Sequence, residues 1–315
     1  MIVCKFGGSA TASKKAIKNI KVLSANLDRR VLVFSAIGKI NKHDEKITDL
    51  LIALTKENID RKIIINKIKA KFNKLLLKIN KKIEINKKID NIIKCYNKNK
   101  DYNYLISRGE YLTSFIMSKY LNIPFVPAEK IIFFKKEKID YKRIKERLNC
   151  YLNKYQQIIV PGFYGINEKN KIHLMSRGGS DVSGAIIAKT LNDCIYENWT
   201  DEDGIKEINP IFEKSNTIEK MSYVQLKKLT NLDAKIIHRD CAKILKNKNI
   251  ILKVCNIFNL FSKQTIVTNK KENIFYVCYK KANNKAIIFY PKGKKKIDIN
   301  NIKEEIINTY KKKGK

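Results

Sequence analysis

The sequence lacks several features that would assign it to a common class. No apolar stretch approaches the roughly 20 residues that a membrane-spanning helix needs, and the first residues do not have the charged-then-apolar order of a secretory signal. The seven cysteines are scattered singly, without the CxxC pairs of zinc or redox sites. We therefore expect a cytoplasmic protein with reduced thiols, no membrane partner and no metal-ligating residues of its own.

Acidic residues are less than half as numerous as basic ones, 30 against 66, which gives a formal net charge of +36. Such an excess is typical of proteins that bind nucleic acid or anionic membranes. Here it is spread along the whole chain together with many Asn and Ile residues, which indicates a general compositional bias. Because no helix-turn-helix, zinc-finger or RNA-binding motif localises the charge, we expect no specific nucleic-acid partner, only nonspecific binding to polyanions at low salt.

The 315 residues, 44% of them hydrophobic, are enough to bury a large core. A strand at 2–6, a Gly-Gly turn, a helix ending near 27 and a strand at 31–34 form a βαβ unit, which predicts a mainly parallel α/β sheet. Apolar spacing of three and four residues predicts helices from 46 to about 120. Further predicted strands lie at 125–127, 131–134, 157–160, 171–175 and 195–199, with a helix at 183–191.

The composition becomes more polar after residue 256. We therefore divide the chain into a domain at 1–256 and a short α+β segment at 257–315. Within this segment, strands are predicted at 275–279 and 286–290, and a helix at 302–310.

Three predicted strands end in glycine-rich or acidic sequences, where α/β proteins bind ligands. Lys5-Phe6-Gly7-Gly8-Ser9 allows backbone N–H groups to approach phosphate oxygens, although by itself a plain tight turn is the better explanation, since glycine is the usual residue there. In the sequence 176–181, Arg177 could hold a carboxylate with two hydrogen bonds. Asp181 could orient a lysine or hold Mg²⁺, and the alternative there is an ordinary helix N-cap. The acidic loop 199–204 is typical of either a nucleotide contact or a turn.

The motifs KFGGS, SA, SRGE, PGFYG, SRGGSD and WTDEDG follow one another along the chain. Together they resemble the aspartate kinases of the amino-acid kinase superfamily over roughly residues 1–257, and SRGEYL, FYG and YENWTD are especially similar to the clostridial type. The resemblance implies a three-layer αβα fold. It also implies transfer of the ATP γ-phosphate to the side-chain carboxylate of L-aspartate with ATP and Mg²⁺, at the start of lysine, diaminopimelate, threonine and methionine biosynthesis, by a homo-oligomer.

The same resemblance implies roles for single residues. Lys5 would neutralise charge on the transferring phosphoryl group, and Asp181 would position Lys5. Phosphate-cradling roles fall on Gly7, Gly8, Ser9, Gly178, Gly179 and Ser180. Substrate-binding roles fall on Thr48, Glu110 and Arg177, and nucleotide-binding roles on Thr200, Asp201, Gly204 and Lys235. No general base is needed because aspartate is already ionised at neutral pH. The lone His238 is expected to be structural, since half-buried histidines are common.

The chain departs from the family pattern in two places. Asn209 and Ile211 stand where the family usually has the Asp and Arg of a DPR tripeptide, and loss of that phosphate contact would weaken ATP binding by about 1.5 to 3 kcal/mol unless Lys206 replaces it. The segment after 256 is shorter than the tandem ACT modules of typical members. We therefore expect a truncated or single ACT-like segment and weak or absent feedback inhibition by lysine or threonine.

Two alternatives stay open at the level of sequence. One is a degenerate, non-catalytic ligand-binding homologue, and the other is a superfamily member with a different acceptor, such as glutamate or carbamate. The presence of Lys5, Glu110, Arg177 and Asp181 favours an active enzyme. The joint presence of SRGE and SRGGSD favours aspartate as the acceptor.

Overall fold

The computed structural model describes residues 1–41, 43–176, 178–191, 193–208, 215–231, 237–246, 250–280, 285–290 and 293–298, together with Glu304 and Asn308. Two predicted site residues, Arg177 and Lys235, lie outside the described residues. So do Asn209 and Ile211.

The strands lie mostly at the ends of the chain and the longest helices between them. In chain order the strands are β1 (Ile2–Phe6), β2 (Arg29–Phe34), β3 (Phe134–Lys135), β4 (Lys138–Ile139), β5 (Ile158–Pro161), β6 (Tyr164–Ile166), β7 (Ile172–Leu174), β8 (Ile195–Thr200), β9 (Ile205–Lys206), β10 (Thr217–Ile218), β11 (Lys220–Ser222), β12 (Ile251–Asn256), β13 (Thr265–Thr268), β14 (Tyr276–Lys280), β15 (Lys285–Tyr290) and β16 (Gly293–Asp298). The helices are α1 (Gly8–Ala12), α2 (Lys14–Ser24), α3 (Ile47–Ala53), α4 (Arg61–Ile79), α5 (Ile85–Asn99), α6 (Tyr102–Leu121), α7 (Tyr141–Lys154), α8 (Gly179–Thr190), α9 (Tyr223–Asn231) and α10 (Arg239–Lys246), with a 3-10 turn at Ala128–Lys130.

A seven-stranded sheet forms the centre, in the order β11-β13-β12-β8-β1-β2-β5. Its neighbouring strands run parallel except for the antiparallel pair β12 and β13. The predicted mainly parallel α/β sheet is therefore confirmed. The register places Lys5 of β1 beside Asn198 of β8.

Both faces of this sheet are buried, which explains why β1 and β2 carry apolar residues on both sides. In β1, Val3 belongs to one hydrophobic core with residues of α7 to α10, while Cys4 and Phe6 belong to a second core with residues of α2 to α6. In β2, Val31 and Val33 lie on the first side and Leu32 and Phe34 on the other. The sheet thus lies between two helical layers, as an αβα fold requires.

Two predicted strands are wrong. Residues 125–127 form only a single bridge, between Phe125 and Ile159. Pro124 and Pro127, on either side of Phe125 and Val126, have no N–H group to donate to a strand ladder. Of residues 131–134, only Phe134 lies in a strand, the two-residue β3. The helix predicted to begin at Ser183 begins at Gly179 instead. The helix predicted at 302–310 lies outside the described residues except for Glu304 and Asn308.

The residues after 256 contribute to two sheets. Strand β13 lies within the central sheet, between β11 and β12, whereas β14, β15 and β16 form a separate antiparallel sheet. That sheet packs onto the first core through Tyr276 and Phe289, whose rings stack 4.7 Å apart. The division at residue 256 stays a prediction. Among the described helices, none is both long and apolar enough to cross a membrane.

Candidate active site

Lys5 and Asp181 form an ion pair at the carboxyl end of the central strand β1. Lys5 is the fourth residue of that strand, and Asp181 lies in the first turn of α8. Lys5 Nζ is 2.7 Å from Asp181 Oδ1, and the two side chains are only 12% and 13% exposed. Such a pair can present a cation of fixed position to a ligand at the strand ends.

The Asp181 carboxylate is held by more than the lysine. The backbone N–H of His238 donates to Oδ2 at 3.1 Å, and the side-chain amide of Asn198 donates to Oδ1 at 3.4 Å. The hydroxyl of Tyr196 donates to the Asp181 backbone carbonyl at 3.1 Å. The carboxylate is thereby fixed in the orientation in which it holds Lys5.

The first glycine loop lies against the same strand ends. Gly7 N–H donates to the carbonyl of Trp199 at 3.2 Å, and Gly38 N–H donates to the carbonyl of Gly8 at 2.9 Å. A Cβ on Gly8 would lie 2.7 Å from the carbonyl oxygen of Ala36 and 2.9 Å from Gly38 N, so a larger residue cannot fit there. On Gly7 a Cβ would lie 3.6 Å from Lys5 Nζ and 3.8 Å from Ser9 Oγ. The loop, the ammonium and a hydroxyl therefore meet around one small space.

The second glycine loop leads from β7 into α8. Gly178 has a φ of +87°, in the left-handed region that favours glycine. Gly179 starts the helix, and its carbonyl accepts a hydrogen bond at 3.0 Å from Ser183 Oγ, which itself accepts one from Phe163 N–H at 2.8 Å. Ser180 is buried, 6% exposed. Ser183 thus ties this loop to the turn that follows β5.

Glu110 is a buried carboxylate on α6, and no described residue forms a hydrogen bond with its Oε2. Burial raises the pKa of Glu110 to about 8, although hydrogen bonds from backbone groups, including Ala36, oppose the rise. Helix α6 packs closely against the loop after β2. A Cβ added to Gly109 would lie only 3.0 Å from Ala36 Cβ. The carbonyl of Ala36 also lies next to Gly8, so the loop after β2 lies between Glu110 and the glycine turn. An unpaired buried carboxylate is suited to receive a cation.

Thr48 is the second residue of α3 and is half-buried. Its neighbour Ile47 packs on Gly109, with Cγ2 3.0 Å from the ideal Cβ of that glycine. Thr48 therefore lies on a helix that packs against α6 at Gly109, the residue before Glu110. Its predicted role in binding substrate stays a prediction.

The acidic loop that follows β8 is anchored at both ends. Thr200 Oγ1 donates to Asp201 Oδ1 at 3.0 Å, and the carbonyl of Thr200 accepts from Ile257 N–H at 2.8 Å. Gly204 has a φ of +71°. The hydrogen bond from Asn256 to Asp203, 2.7 Å long, is the main reason why the pKa of Asp203 is lowered. Because Trp199 also accepts from Gly7, this loop is adjacent to the first glycine loop.

The sequence analysis missed Asn198. This residue is 2% exposed, its amide contacts Asp181, and its Oδ1 has no hydrogen-bond partner in the part of the chain that the structure describes. A signal was present in the sequence, because Asn198 is a polar residue within the buried strand IYENWT. Only the pairing of β8 with β1 reveals that it lies beside Lys5.

Comparison with known proteins agrees with this geometry. A sequence profile of the amino acid kinase family matches residues 1–256. Aspartokinase 3 of Bacillus subtilis is 27% identical over 297 residues, which cover 87% of this chain and 64% of the relative. The aspartokinase of Rickettsia prowazekii is 24% identical, covering 86% of this chain and 55% of the relative. The chain therefore spans less than two thirds of the length of these relatives.

Solved structures show the same relationship. The aspartate kinase of Clostridium acetobutylicum is 31% identical, with a TM-score of 0.81 over 88% of this chain and 66% of that chain. Aspartokinase III of Escherichia coli, solved with aspartate and ADP, has a TM-score of 0.77 at 21% identity over 88% of this chain and 67% of that chain, which indicates a shared fold. The chain belongs to the amino acid kinase family.

Proposed function

We propose that this chain is an ATP-dependent aspartate kinase, which transfers the γ-phosphate of ATP to the side-chain carboxylate of L-aspartate and forms 4-phospho-L-aspartate. The observation that carries the proposal is the Lys5–Asp181 ion pair, 2.7 Å long, beside a glycine turn at the strand ends. The similarity to the Clostridium acetobutylicum enzyme, at 31% identity, supports the choice of reaction. The product would enter the biosynthesis of lysine, threonine and methionine.

Catalysis in this proposal depends on stabilising charge. An aspartate carboxylate oxygen attacks the γ-phosphorus, a new P–O bond forms to the carboxylate, and the bond to the ADP oxygen breaks. The Lys5 ammonium neutralises charge on the transferring group, since phosphoryl transfer needs positioning and electrostatics more than covalent chemistry. Backbone N–H groups of the loops at Gly7 to Ser9 and Gly178 to Ser180 would hold the phosphates. The attacking carboxylate is already ionised, so no general base is required.

The acceptor would be recognised by its two other charged groups. Glu110 is proposed to receive the α-ammonium, because its buried Oε2 has no hydrogen-bond partner among the described residues. Arg177, which lies outside the described residues, is proposed from the family pattern to hold a carboxylate. Thr48 would complete the substrate site. A cation next to Glu110 would favour its ionised form and so lower the pKa that burial raises.

Nucleotide binding is proposed for the loop after β8. Thr200, Asp201 and Gly204 lie on a loop that hydrogen bonds anchor at both ends, and Lys235 is added from the family pattern. An anchored loop can bind a ligand without losing further conformational entropy on becoming ordered.

Mg²⁺ is proposed to enter together with ATP. Within the described residues no three His, Cys, Asp or Glu side chains converge on one point. Mg²⁺ needs no such cluster, because it commonly keeps its waters and binds through substrate phosphates and one or two carboxylates. Asp181 is the carboxylate we propose to take part, and the ion would neutralise charge on the phosphates.

The proposal is tested by trapping the acyl phosphate. The chain is incubated with Mg-ATP, hydroxylamine and one acceptor at a time, L-aspartate, L-glutamate or carbamate, and hydroxamate and ADP are measured. We expect hydroxamate with aspartate that vanishes in Lys5→Ala and persists in the control Lys14→Ala, an exposed lysine of α2. Turnover with a different acceptor, or none with any acceptor while circular dichroism shows a folded chain, would contradict the proposal.

A further inference from the structure

His238 contacts the second glycine loop at several points. Besides the hydrogen bond from its backbone N–H to Asp181, its ring Nε2 is 3.1 Å from Ser176 Oγ. Its Cδ2 lies 3.1 Å from the position of a Cβ on Gly178, so the ring packs against that glycine. The side chain is 16% exposed. One histidine thus contacts the first, third and last residues of the sequence 176–181.

The orientation of the imidazole is fixed from the other side by helix α10. The backbone N–H of Asp240 donates to Nδ1 at 3.3 Å, and the carbonyl of His238 accepts from Cys241 N–H at 2.9 Å. Because Nδ1 accepts the hydrogen bond from Asp240 N–H, we assign the ring hydrogen to Nε2. The ring therefore donates to Ser176 Oγ.

The loop needs such a constraint because of its own sequence. Two consecutive glycines give the backbone more freedom than any other pair of residues. Ser176 and Gly178 flank Arg177 in the sequence, and both contact the ring of His238. The hydrogen bond to Ser176 and the packing contact on Gly178 restrict the backbone at these two residues.

We infer that His238 is a positioning residue for the acceptor: its imidazole holds the backbone on both sides of Arg177 and so sets the affinity for the acceptor carboxylate. The identity of the acceptor rests on the proposed function, whereas the restraint on the loop does not. Side-chain substitution leaves the backbone hydrogen bond from residue 238 to Asp181 available. The effect should therefore fall on KM for the acceptor more than on kcat.

The kinetic test compares three substitutions that remove different parts of the ring. In His238→Gln the side-chain amide nitrogen replaces Nε2 and can still donate to Ser176, whereas in His238→Asn the amide reaches only the position of Nδ1. We expect KM for aspartate to rise about tenfold in His238→Ala and His238→Asn, the effect of one lost hydrogen bond. KM for Mg-ATP should rise by a smaller factor, because Gly178 also belongs to the loop proposed to hold the phosphates, and kcat should stay within about threefold. His238→Gln should resemble the wild type.

The partner residue and a second histidine provide the controls. Ser176→Ala should raise KM for aspartate as His238→Ala does, and the double variant should be no worse than either single one, since both remove the same contact. His173→Gln replaces a histidine of β7 that stacks on Phe134 at 4.1 Å, and it should leave KM unchanged. Additive effects in the double variant, or an equal rise in His173→Gln, would overturn the inference.

Hydrogen exchange tests the same restraint without turnover. The amides of a peptide covering 176–181 should exchange faster in His238→Ala than in the wild type, and His238→Gln should restore the slower rate. Unchanged exchange in His238→Ala, or equal acceleration in His238→Gln, would show that the ring does not hold the loop. A wild-type chain that makes no product from aspartate would contradict the proposed function, while the exchange result would still decide the role of His238.

Discussion

Single residues of the site differ in how visible they are in the sequence. Lys5, Gly7 and Gly8 stand in one short motif, so their proximity can be predicted from the chain alone. Asn198 contacts Asp181 because β8 pairs with β1, and that pairing cannot be deduced from either strand by itself. The buried state of Glu110 is likewise a tertiary property, since an isolated α6 would expose this carboxylate to water.

The raised pKa of Glu110 predicts a pH dependence of stability in the substrate-free chain. With a pKa of about 8 in the folded chain, against an ordinary value of 4.5, Glu110 binds its proton more tightly when folded. Between about pH 5 and 8 its contribution to stability is therefore lost as pH rises, at up to about 1.4 kcal/mol per pH unit. We expect Glu110→Gln to remove this slope and to raise the free energy of unfolding at pH 7.5, measured by urea denaturation at several pH values.

Glu202→Gln is the matched control for that experiment, because Glu202 is exposed on the loop after β8. It should leave the slope unchanged. An identical slope in Glu110→Gln and the wild type would show that Glu110 is not the group that titrates.

A second prediction follows from the same carboxyl group. Below about pH 8 Glu110 is mostly protonated without ligand, and an ammonium beside it favours the ionised form, so aspartate binding should release close to one proton at pH 7. Affinity should accordingly rise from pH 6.5 to 8. Isothermal titration calorimetry in two buffers with different ionisation enthalpies measures the release directly. Proton uptake, or equal release in Glu110→Gln, would contradict the assignment.

At the level of elements, β8 carries a buried polar cluster as well as a site residue. Glu197 Oε2 accepts hydrogen bonds from Arg29 Nε at 2.9 Å, Trp199 Nε1 at 3.0 Å and Cys4 Sγ at 3.3 Å. The cluster joins three neighbouring strands, β1, β2 and β8. It also fixes Trp199, whose carbonyl accepts from the first glycine loop.

Removing one partner of this cluster should be costly. Arg29→Met leaves the Glu197 carboxylate, 5% exposed, without its counter-ion, and we expect the free energy of unfolding to fall by about 3 to 5 kcal/mol. Adding Glu197→Gln should recover part of the loss. As a control, Lys67→Met breaks a half-exposed pair with Glu45 and should cost less than about 1 kcal/mol. Urea denaturation of the three variants and the wild type measures these differences, and equal losses at the two pairs would contradict the argument.

The elements that sequence analysis predicted correctly are those with strong local signals. Strands β1, β2 and β5 are mostly apolar runs that glycine, proline or polar residues terminate, and their apolar residues belong to one of the two cores. Strand β8 is predicted from its position before the acidic loop, although Glu197 and Asn198 interrupt its apolar residues. The pair Phe125-Val126 has the same composition but lies between two prolines, and it forms one bridge only. Strand β13 pairs with β12 across a short loop and with the more distant β11, and the pairing with β11 is one that no local pattern indicates.

At the scale of the whole molecule, the charge of +36 should govern contacts with polyanions. We expect fluorescence anisotropy with duplex and single-stranded DNA to show binding at low salt that disappears near physiological salt, because counterion release is its driving force. Random sequences should bind alike. A sequence preference that survives at physiological salt would contradict this prediction and would indicate a specific nucleic-acid partner.

The position of β13 affects the order in which the molecule can be completed during synthesis. Among the described strands of the central sheet, β11 pairs with β13 alone, although β11 precedes it by some forty residues. While the ribosome is still making residues 250–268, the N-terminal strands can already pair, but β11 has to wait for its neighbour to emerge. Until then one end of the growing sheet is an open edge, where chaperones or other nascent chains can attach.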